Sequence, residues 1–350
     1  MGSTAVFYDP IYLEHDTGYG HPERAERLEA AMGMLRETGL VDRVALLSPR
    51  DATVEEISLV HPKGYIDTIR KTAESGGGWM DADTHVGPRS YEAALRSTGA
   101  LLEGLARIFA GEIANAFCLV RPPGHHATTG RAMGFCLFNN NAVAARFAMR
   151  EFGITRVLIL DWDAHHGNGI QDIFYEDDKV LYVSLHQYPH YPGSGSSGET
   201  GSSKGKGYTV NFPLPARSGE EVYLAAFDEV IIPIAEQYQP ELVLISAGYD
   251  GHFSDLLCSM MLRGRSYAEM TRRLKDLAER HCGGKMLAAL EGGYNLDGIA
   301  LSIADTIAVM AGEDVMVEED LGGRALPEPS GRGMEVVEAT RRELSSFWKL

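Results

Sequence analysis

Apolar and polar positions along the chain follow two rhythms. Leu95, Leu102, Leu105 and Ile108 recur on three- and four-residue steps, which predicts a helix over 91–108. Similar amphipathic patterns predict helices over 22–36, 140–151, 220–238, 266–281, 297–310 and 334–349. Between them lie short, nearly continuous apolar runs at 116–120, 156–160, 180–185, 208–212, 242–246 and 286–290. Runs of that length without alternation suit strands buried on both faces, and their spacing by helices suits a parallel sheet. The fold class read from the pattern is therefore α/β, a layered sandwich without an internal repeat. The stretch 193–207, rich in Gly and Ser, is expected to be a long surface loop, and the acidic, Gly- and Pro-containing residues after Gly312 an irregular segment before the last helix.

Composition narrows the class. The chain has 350 residues, 44% of them hydrophobic and 23% charged, as a globular protein does. Its formal net charge of -17 and its lack of clustered Lys and Arg argue against a nucleic-acid partner. No run approaches the roughly 18 apolar residues of a membrane span, and MGSTAVFYDP has no basic region leading into an apolar core. Cys118, Cys136, Cys258 and Cys282 lie far apart without a CxxC pair, so reduced thiols and a cytoplasmic location are expected.

In parallel sheets ligands gather at the carboxyl ends of the strands. Here those ends lead into VRPPGHHA, DWDAHHGNG, SLHQYPHYPGSG, SAGYDGH and LEGGYNL, five loops expected to meet on one rim. If 161–165 stays extended, Asp161, Asp163 and His165 share one face. Taken singly, an Asp or His after a strand reads as a cap or a loop hydrogen bonder. As a crowded set they would repel unless a cation sat among them, and Asp250 offers a third ligand while leaving positions open for water and substrate. His125 and His126 could then act as acid and base, and Tyr294 as a donor to a developing oxyanion, although each alone is also compatible with plain loop or packing roles. These parts suit hydrolysis of an amide. No GxSxG, no GxxxxGK and no GxGxxG after the first strand competes.

From about Tyr8 through Gly312 the chain resembles the metal-dependent histone deacetylase and acetylpolyamine amidohydrolase superfamily, and within it class II-like bacterial or archaeal members. The resemblance rests on HPERAERL, GPRSYEAA, RPPGHHA, GFCLFNN, DWDAHHGNG, SLH, SAGYD and EGGYNL in order. It implies a single-domain three-layer α/β/α arginase-deacetylase fold with a mainly parallel sheet of about eight strands. It further implies a catalytic domain at 1–312 and a C-terminal extension at 313–350 whose helix packs back. Asp163, His165 and Asp250 resemble ligands of a catalytic zinc, with iron(II) as the alternative metal. His126 resembles the general base and His125 its electrostatic partner, backed by Asn168 and Asp161 respectively, while Tyr294 resembles the phenol that polarises the carbonyl. Phe135 and Tyr191 match the walls of an acyl-lysine tunnel, with Gly134, Leu257 and Asp83 at its rim. Potassium is implied at Asp161, Asp163, His165, Ser184 and Leu185, and a second monovalent site at Phe174, Asp177, Val180 and Tyr208.

One departure bears on the substrate. Asp255-Leu256-Leu257-Cys258 stands where the family often reads DPLG. An apolar Leu257 and a short segment at 12–21 lean away from acetylpolyamines and toward acylated lysine-like amines. The implied activity is thus a zinc-dependent deacylase, with small-molecule amide or acetylpolyamine hydrolysis as the alternative, a two-metal arginase-like centre disfavoured, a non-catalytic acyl-binding protein disfavoured because no ligand and no phenol is missing, and homo-oligomerisation left open.

Overall fold

The strands of this computed structural model are β1 (Thr4–Phe7), β2 (Ala45–Leu47), β3 (Gly78–Trp79), β4 (His85–Val86), β5 (Asn115–Cys118), β6 (Val157–Asp161), β7 (Val180–Gln187), β8 (Thr209–Leu214), β9 (Leu242–Ala247) and β10 (Met286–Leu290). Described are residues 3–314, residue 319 and residues 331–350. Eight strands make one sheet in the order β2-β1-β5-β10-β9-β6-β7-β8, and every pairing in it is parallel. β3 and β4 form a small antiparallel ribbon near the rim.

Every residue of β5, β6, β9 and β10 is buried, so both faces of the sheet's middle are covered, as the unbroken apolar runs require. The helices are α1 (Glu26–Glu37), α2 (Val54–Ile57), α3 (Lys63–Glu74), α4 (Ser90–Phe109), α5 (Asn140–Phe152), α6 (Asn168–Phe174), α7 (Glu220–Ala226), α8 (Ile232–Tyr238), α9 (Gly264–Cys282), α10 (Leu296–Ala311) and α11 (Gly333–Leu344). α4 packs on α5, while α10, buried from Gly298 to Met310, is wedged between α1 and α9. This is the α/β arginase-deacetylase fold.

The differences from the sequence reading have local causes. β1 and β2 are too short to stand out as strands from periodicity. Residues 22–25 stay outside α1, where Glu23 swings its carboxylate inward rather than joining the helix. The 220–238 helix is continuous but passes through a π turn at Phe227–Ile231, just ahead of Pro233, whose missing N–H cannot bond back four residues. The stretch 193–207 is not simply a surface loop: Gly195, Thr200, Gly201, Gly205 and Gly207 are buried, and Ser203–Gly205 is a 3-10 turn. α11 ends at Leu344, short of the expected 349, and the chain then turns so that the Trp348 indole donates to Gly207 O at 2.8 Å. Thr340 on α11 donates to Asn211 O at 3.1 Å, covering the β8 edge. The irregular segment expected after Gly312 falls mostly outside the described residues.

His61 illustrates how the fold holds imidazoles neutral. Its Nδ1 faces Thr129 O at 3.0 Å and its Nε2 accepts from Asn139 N at 2.9 Å, so a second proton would point at an N–H. Burial leads the fall of its pKa to about 4. The folded value lies below the unfolded 6.5, so the penalty is absent above pH 6.5 and grows as pH falls toward 4. In urea titrations between those limits, His61→Asn should make stability depend less steeply on pH, by about 1.4 kcal/mol per pH unit.

Candidate active site

Register brings the carboxylates to the sheet's carboxyl edge. Asp161, last in β6, lies beside Ser184 of β7 and Ser246 of β9. Two residues on, Asp163 accepts from Gly292 N at 2.7 Å and from His165 N at 2.8 Å. Asp250, past the end of β9, accepts from Ala164 N at 2.7 Å through Oδ1 and points Oδ2 at His165 Nδ1, also at 2.7 Å. His165 Nδ1 is 3.2 Å from Asp163 Oδ1. A Cβ at Gly292 would come within 2.6 Å of both the Asp163 and Asp250 carboxylates, so only glycine lets β10's loop close over them.

One ligand atom from each of Asp163, His165 and Asp250 lies within 4.8 Å of the other two, and all three residues are buried. Burial, then the Asp163 charge, pushes the Asp250 carboxyl up to about 7. Burial works against charge on His165, yet Asp250 and neighbouring groups hold its pKa well above the ordinary value. An imidazolium proton between two buried carboxylates occupies the electrostatic role of a cation. Two hard oxygen donors and an imidazole fit a divalent metal with open positions.

Beside this cluster His125 and His126 lie with ring centroids 4.0 Å apart. His125 Nδ1 meets Asp161 Oδ2 at 3.0 Å, and the same oxygen accepts from the Tyr182 hydroxyl at 3.1 Å. Burial opposes charge on His125, but Asp161, Asp163 and Glu291 outweigh it and raise its pKa to about 10. His126 Nδ1 meets Asn168 Oδ1 at 2.8 Å. Burial, then the neighbouring His125 and His165 charges, hold His126 well below its ordinary pKa. One imidazole is thus charged and the other neutral, and the Asn168 carbonyl places the proton of His126 on Nδ1, leaving Nε2 as a base. Gly134, at φ 55°, lies against the His126 ring, where any side chain would collide.

Tyr294 reaches the cluster from β10's loop through Gly293, at φ 113°, and is 5% exposed. Its backbone N–H donates to Asp255 Oδ2 at 2.7 Å, and Asn295 caps α10 immediately after it. The Arg27 guanidinium lies 5.3 Å over its ring, donating from Nε to Gly293 O at 2.6 Å and from a terminal nitrogen to Glu291 O at 2.5 Å. Arg27 in turn pairs with Glu23 at 2.9 Å, and Glu23 also pairs with buried Arg121. Glu291 accepts from Gly124 N at 2.7 Å and His125 N at 3.1 Å, bracing the histidine loop.

The rim residues sit as follows. Phe135 meets Tyr294 edge-on with ring centroids 6.0 Å apart, and Tyr191 meets His126 edge-on at 5.2 Å. Leu257 is 40% exposed, and Asp83 is half-buried next to Thr84, whose hydroxyl it accepts at 3.2 Å. Asp161 ends β6 beside Ser184 of β7, Leu185 follows within β7, and Asp163 and His165 lie in the loop just past β6. Phe174, Asp177, Val180 and Tyr208 surround the α6–β7 connection, where Phe174 O accepts from Asp177 N and Tyr208 O from Tyr182 N. Reading the chain singled out neither Glu23, Arg27 and Arg121 nor Glu291 as individual site residues. Their signal was present only as the HPERAERL, RPPGHHA and EGGYNL strings that contain them.

The histone deacetylase domain matches residues 21–310. A probable deacetylase of Archaeoglobus fulgidus is 40% identical over 357 aligned positions, covering 99% of either chain. Human polyamine deacetylase HDAC10 is 37% identical over 365 positions, covering 100% of this chain but 53% of its own, so this chain spans about half of that relative. The crystal structure of the HDA15 HD domain superposes with a TM-score of 0.91 at 39% identity, covering 99% of this chain and 95% of that one. The chain belongs to the histone deacetylase family and is an amide hydrolase of the deacetylase class.

Proposed function

We propose that the enzyme is a zinc-dependent deacylase that removes acetyl or related acyl groups from lysine-like amines. The observation that carries this reading is the burial together of the Asp163, His165 and Asp250 donors, of His125 held by Asp161 and His126 held by Asn168, and of the Tyr294 phenol. Asp163, His165 and Asp250 would hold zinc, or iron(II) in its place, and the ion would supply Lewis acidity toward water and the substrate carbonyl. His126 Nε2 takes the water's proton, held in that tautomer by Asn168. Charged His125, backed by Asp161, stabilises developing negative charge, and a protonated histidine then delivers a proton to the leaving amine. The Tyr294 hydroxyl donates to the oxyanion. Phe135 and Tyr191 flank the acyl-lysine chain, Gly134 and Leu257 shape its path, and Asp83 accepts from the substrate backbone. Potassium at Asp161, Asp163, His165, Ser184 and Leu185, and a monovalent ion at Phe174, Asp177, Val180 and Tyr208, would stiffen β6 and β7.

Asp255 supports a one-metal centre, because its carboxylate is already committed to the N–H groups of Leu257, Cys258 and Tyr294. We take 1–312 as the catalytic unit and 313–350 as an extension. The four free, buried cysteines support a reducing, cytoplasmic setting.

The human relative's name favours a second substrate reading, acetylated polyamines. Turnover of acetyl-lysine peptides and of acetylputrescine by metal-stripped, zinc-restored and iron-restored enzyme tests both. Stripping is expected to abolish turnover and zinc to restore it, with the peptide preferred because exposed Leu257 offers no charge to a polyamine. Preference for acetylputrescine would move the assignment to polyamines, and silence of the zinc-restored enzyme on both would sink the deacylase reading.

A further inference from the structure

Opposite charges stand together at the mouth, on the side of the Phe135 wall. Asp81 Oδ1 accepts from Asp83 N at 3.2 Å and from Thr84 N at 2.9 Å, while its Oδ2 faces Arg131 across 3.8 Å. Among the described residues this long pair is the one charged contact of the Arg131 side chain, which is 65% exposed, so its donors are available to a ligand. Both groups are tied to the tunnel. The Thr84 hydroxyl donates to Asp83 Oδ1 at 3.2 Å and accepts from Phe135 N at 3.0 Å. Arg131 ends a turn, closed by Thr128 N on Arg131 O at 3.1 Å, that leads into Gly134 and Phe135. The other wall feels all three charges: burial leads the rise of the Tyr191 phenol's pKa, Asp83 and Asp81 add to it, and Arg131 opposes them. Burial, then the adjoining Asp81 carboxyl, likewise raises Asp83 above its ordinary value, and a cation placed there would relieve that repulsion.

We propose that the preferred substrate is an Nε-acyl-lysine with free α-amino and α-carboxylate groups, the amino acid itself, its ammonium held by Asp83 and Asp81 and its carboxylate by Arg131. The inference rests on the deacylase reading above and names the substrate within it. In this amino acid the side chain and both charges leave one carbon, so a chain threaded between Phe135 and Tyr191 carries the two charges to the mouth together. A guanidinium can grip the carboxylate as a two-point fork, and the ammonium offers three donors to the two acidic side chains. Seated this way, the zwitterion replaces one long ion pair with two short ones. An internal peptide residue brings neither charge, because both groups are amides, and acetylputrescine has no carboxylate for Arg131. Hydrolysis consumes one water and returns lysine and the carboxylic acid of the acyl group.

Initial rates of the zinc-restored full chain on Nε-acetyl-lysine, its α-carboxamide, its Nα-formyl derivative and an internal acetyl-lysine peptide test the assignment. The free amino acid should exceed the carboxamide and the Nα-formyl derivative by about tenfold each in kcat/KM, chiefly through KM. Both margins should shrink in high salt, since the groups that read the charges are open to solvent. Arg131→Gln should remove the margin over the carboxamide and keep the one over the Nα-formyl derivative, Asp83→Asn should do the reverse, and Arg131→Lys should retain part of the first. Equal kcat/KM on acid and carboxamide, a margin over the carboxamide that survives Arg131→Gln, or a higher kcat/KM on the peptide than on the amino acid would overturn the proposal and leave the deacylase reading standing. Silence on all four probes would overturn both.

Discussion

Tyr294→Phe is expected to fold, to bind metal as the wild type does, and to lose about 10²–10³-fold in kcat on an acetyl-lysine substrate with little change in KM. The substitution removes one oxygen and nothing that positions it. The backbone of Tyr294 is held by Asp255 and by Arg27's bond to Gly293 O, and its ring by Phe135 and the Arg27 guanidinium, and none of these contacts uses the hydroxyl. Burial, then the Asp250 and Asp163 charges, raise the phenol's pKa well above 10, so it stays protonated and can donate throughout the working pH range. A loss confined to kcat marks a bond made chiefly in the transition state. Single-turnover rates together with metal content settle the matter: a variant with most of its kcat would remove the oxyanion role, and one without metal would show that the residue supports the centre instead.

What could be read from the chain was whatever follows an apolar run. Asp161, Asp163, His165, Asp250, His125, His126 and Tyr294 all stand just past strands whose burial is written in consecutive Val, Ile, Leu and Ala, and parallel pairing takes such ends to one edge. β1 and β2 were illegible for the opposite reason: four and three residues are too few for any period, and the place of β1 beside β5 and of β2 beside β1 is decided by partners far along the chain. Charge misled more deeply. Glu23, Arg27 and Arg121 are residue types that a sequence assigns to solvent, yet all three are fully buried, because Glu23 balances both Arg27, four residues on, and Arg121, far along the chain.

That buried charge cluster carries the largest expected stability effect. Glu23 pairs with Arg121 and with Arg27 at 2.9 Å, all without access to water. Burial works against its charge, but the two guanidinium groups, Arg121 first, hold its carboxyl far below the ordinary 4.5. Glu23→Gln keeps the shape and strands two buried cations, so it should cost about 3–5 kcal/mol. Because the folded pKa is depressed, the carboxylate's contribution is complete above pH 4.5 and is lost only as pH falls toward the folded value. The gap between wild type and variant should therefore be widest near neutrality and narrow in acid. Glu55→Gln, whose pair with Lys63 is solvent-exposed, serves as the control and should leave the unfolding midpoint in place. Arg27 also holds Gly293 O and Glu291 O, so loosening the cluster should slow deacylation even where the variant is folded. Urea titrations read beside kcat at permissive temperature test the coupling: full stability in Glu23→Gln would mean that the two arginines find water or another acceptor, and the network would then be incidental to the fold.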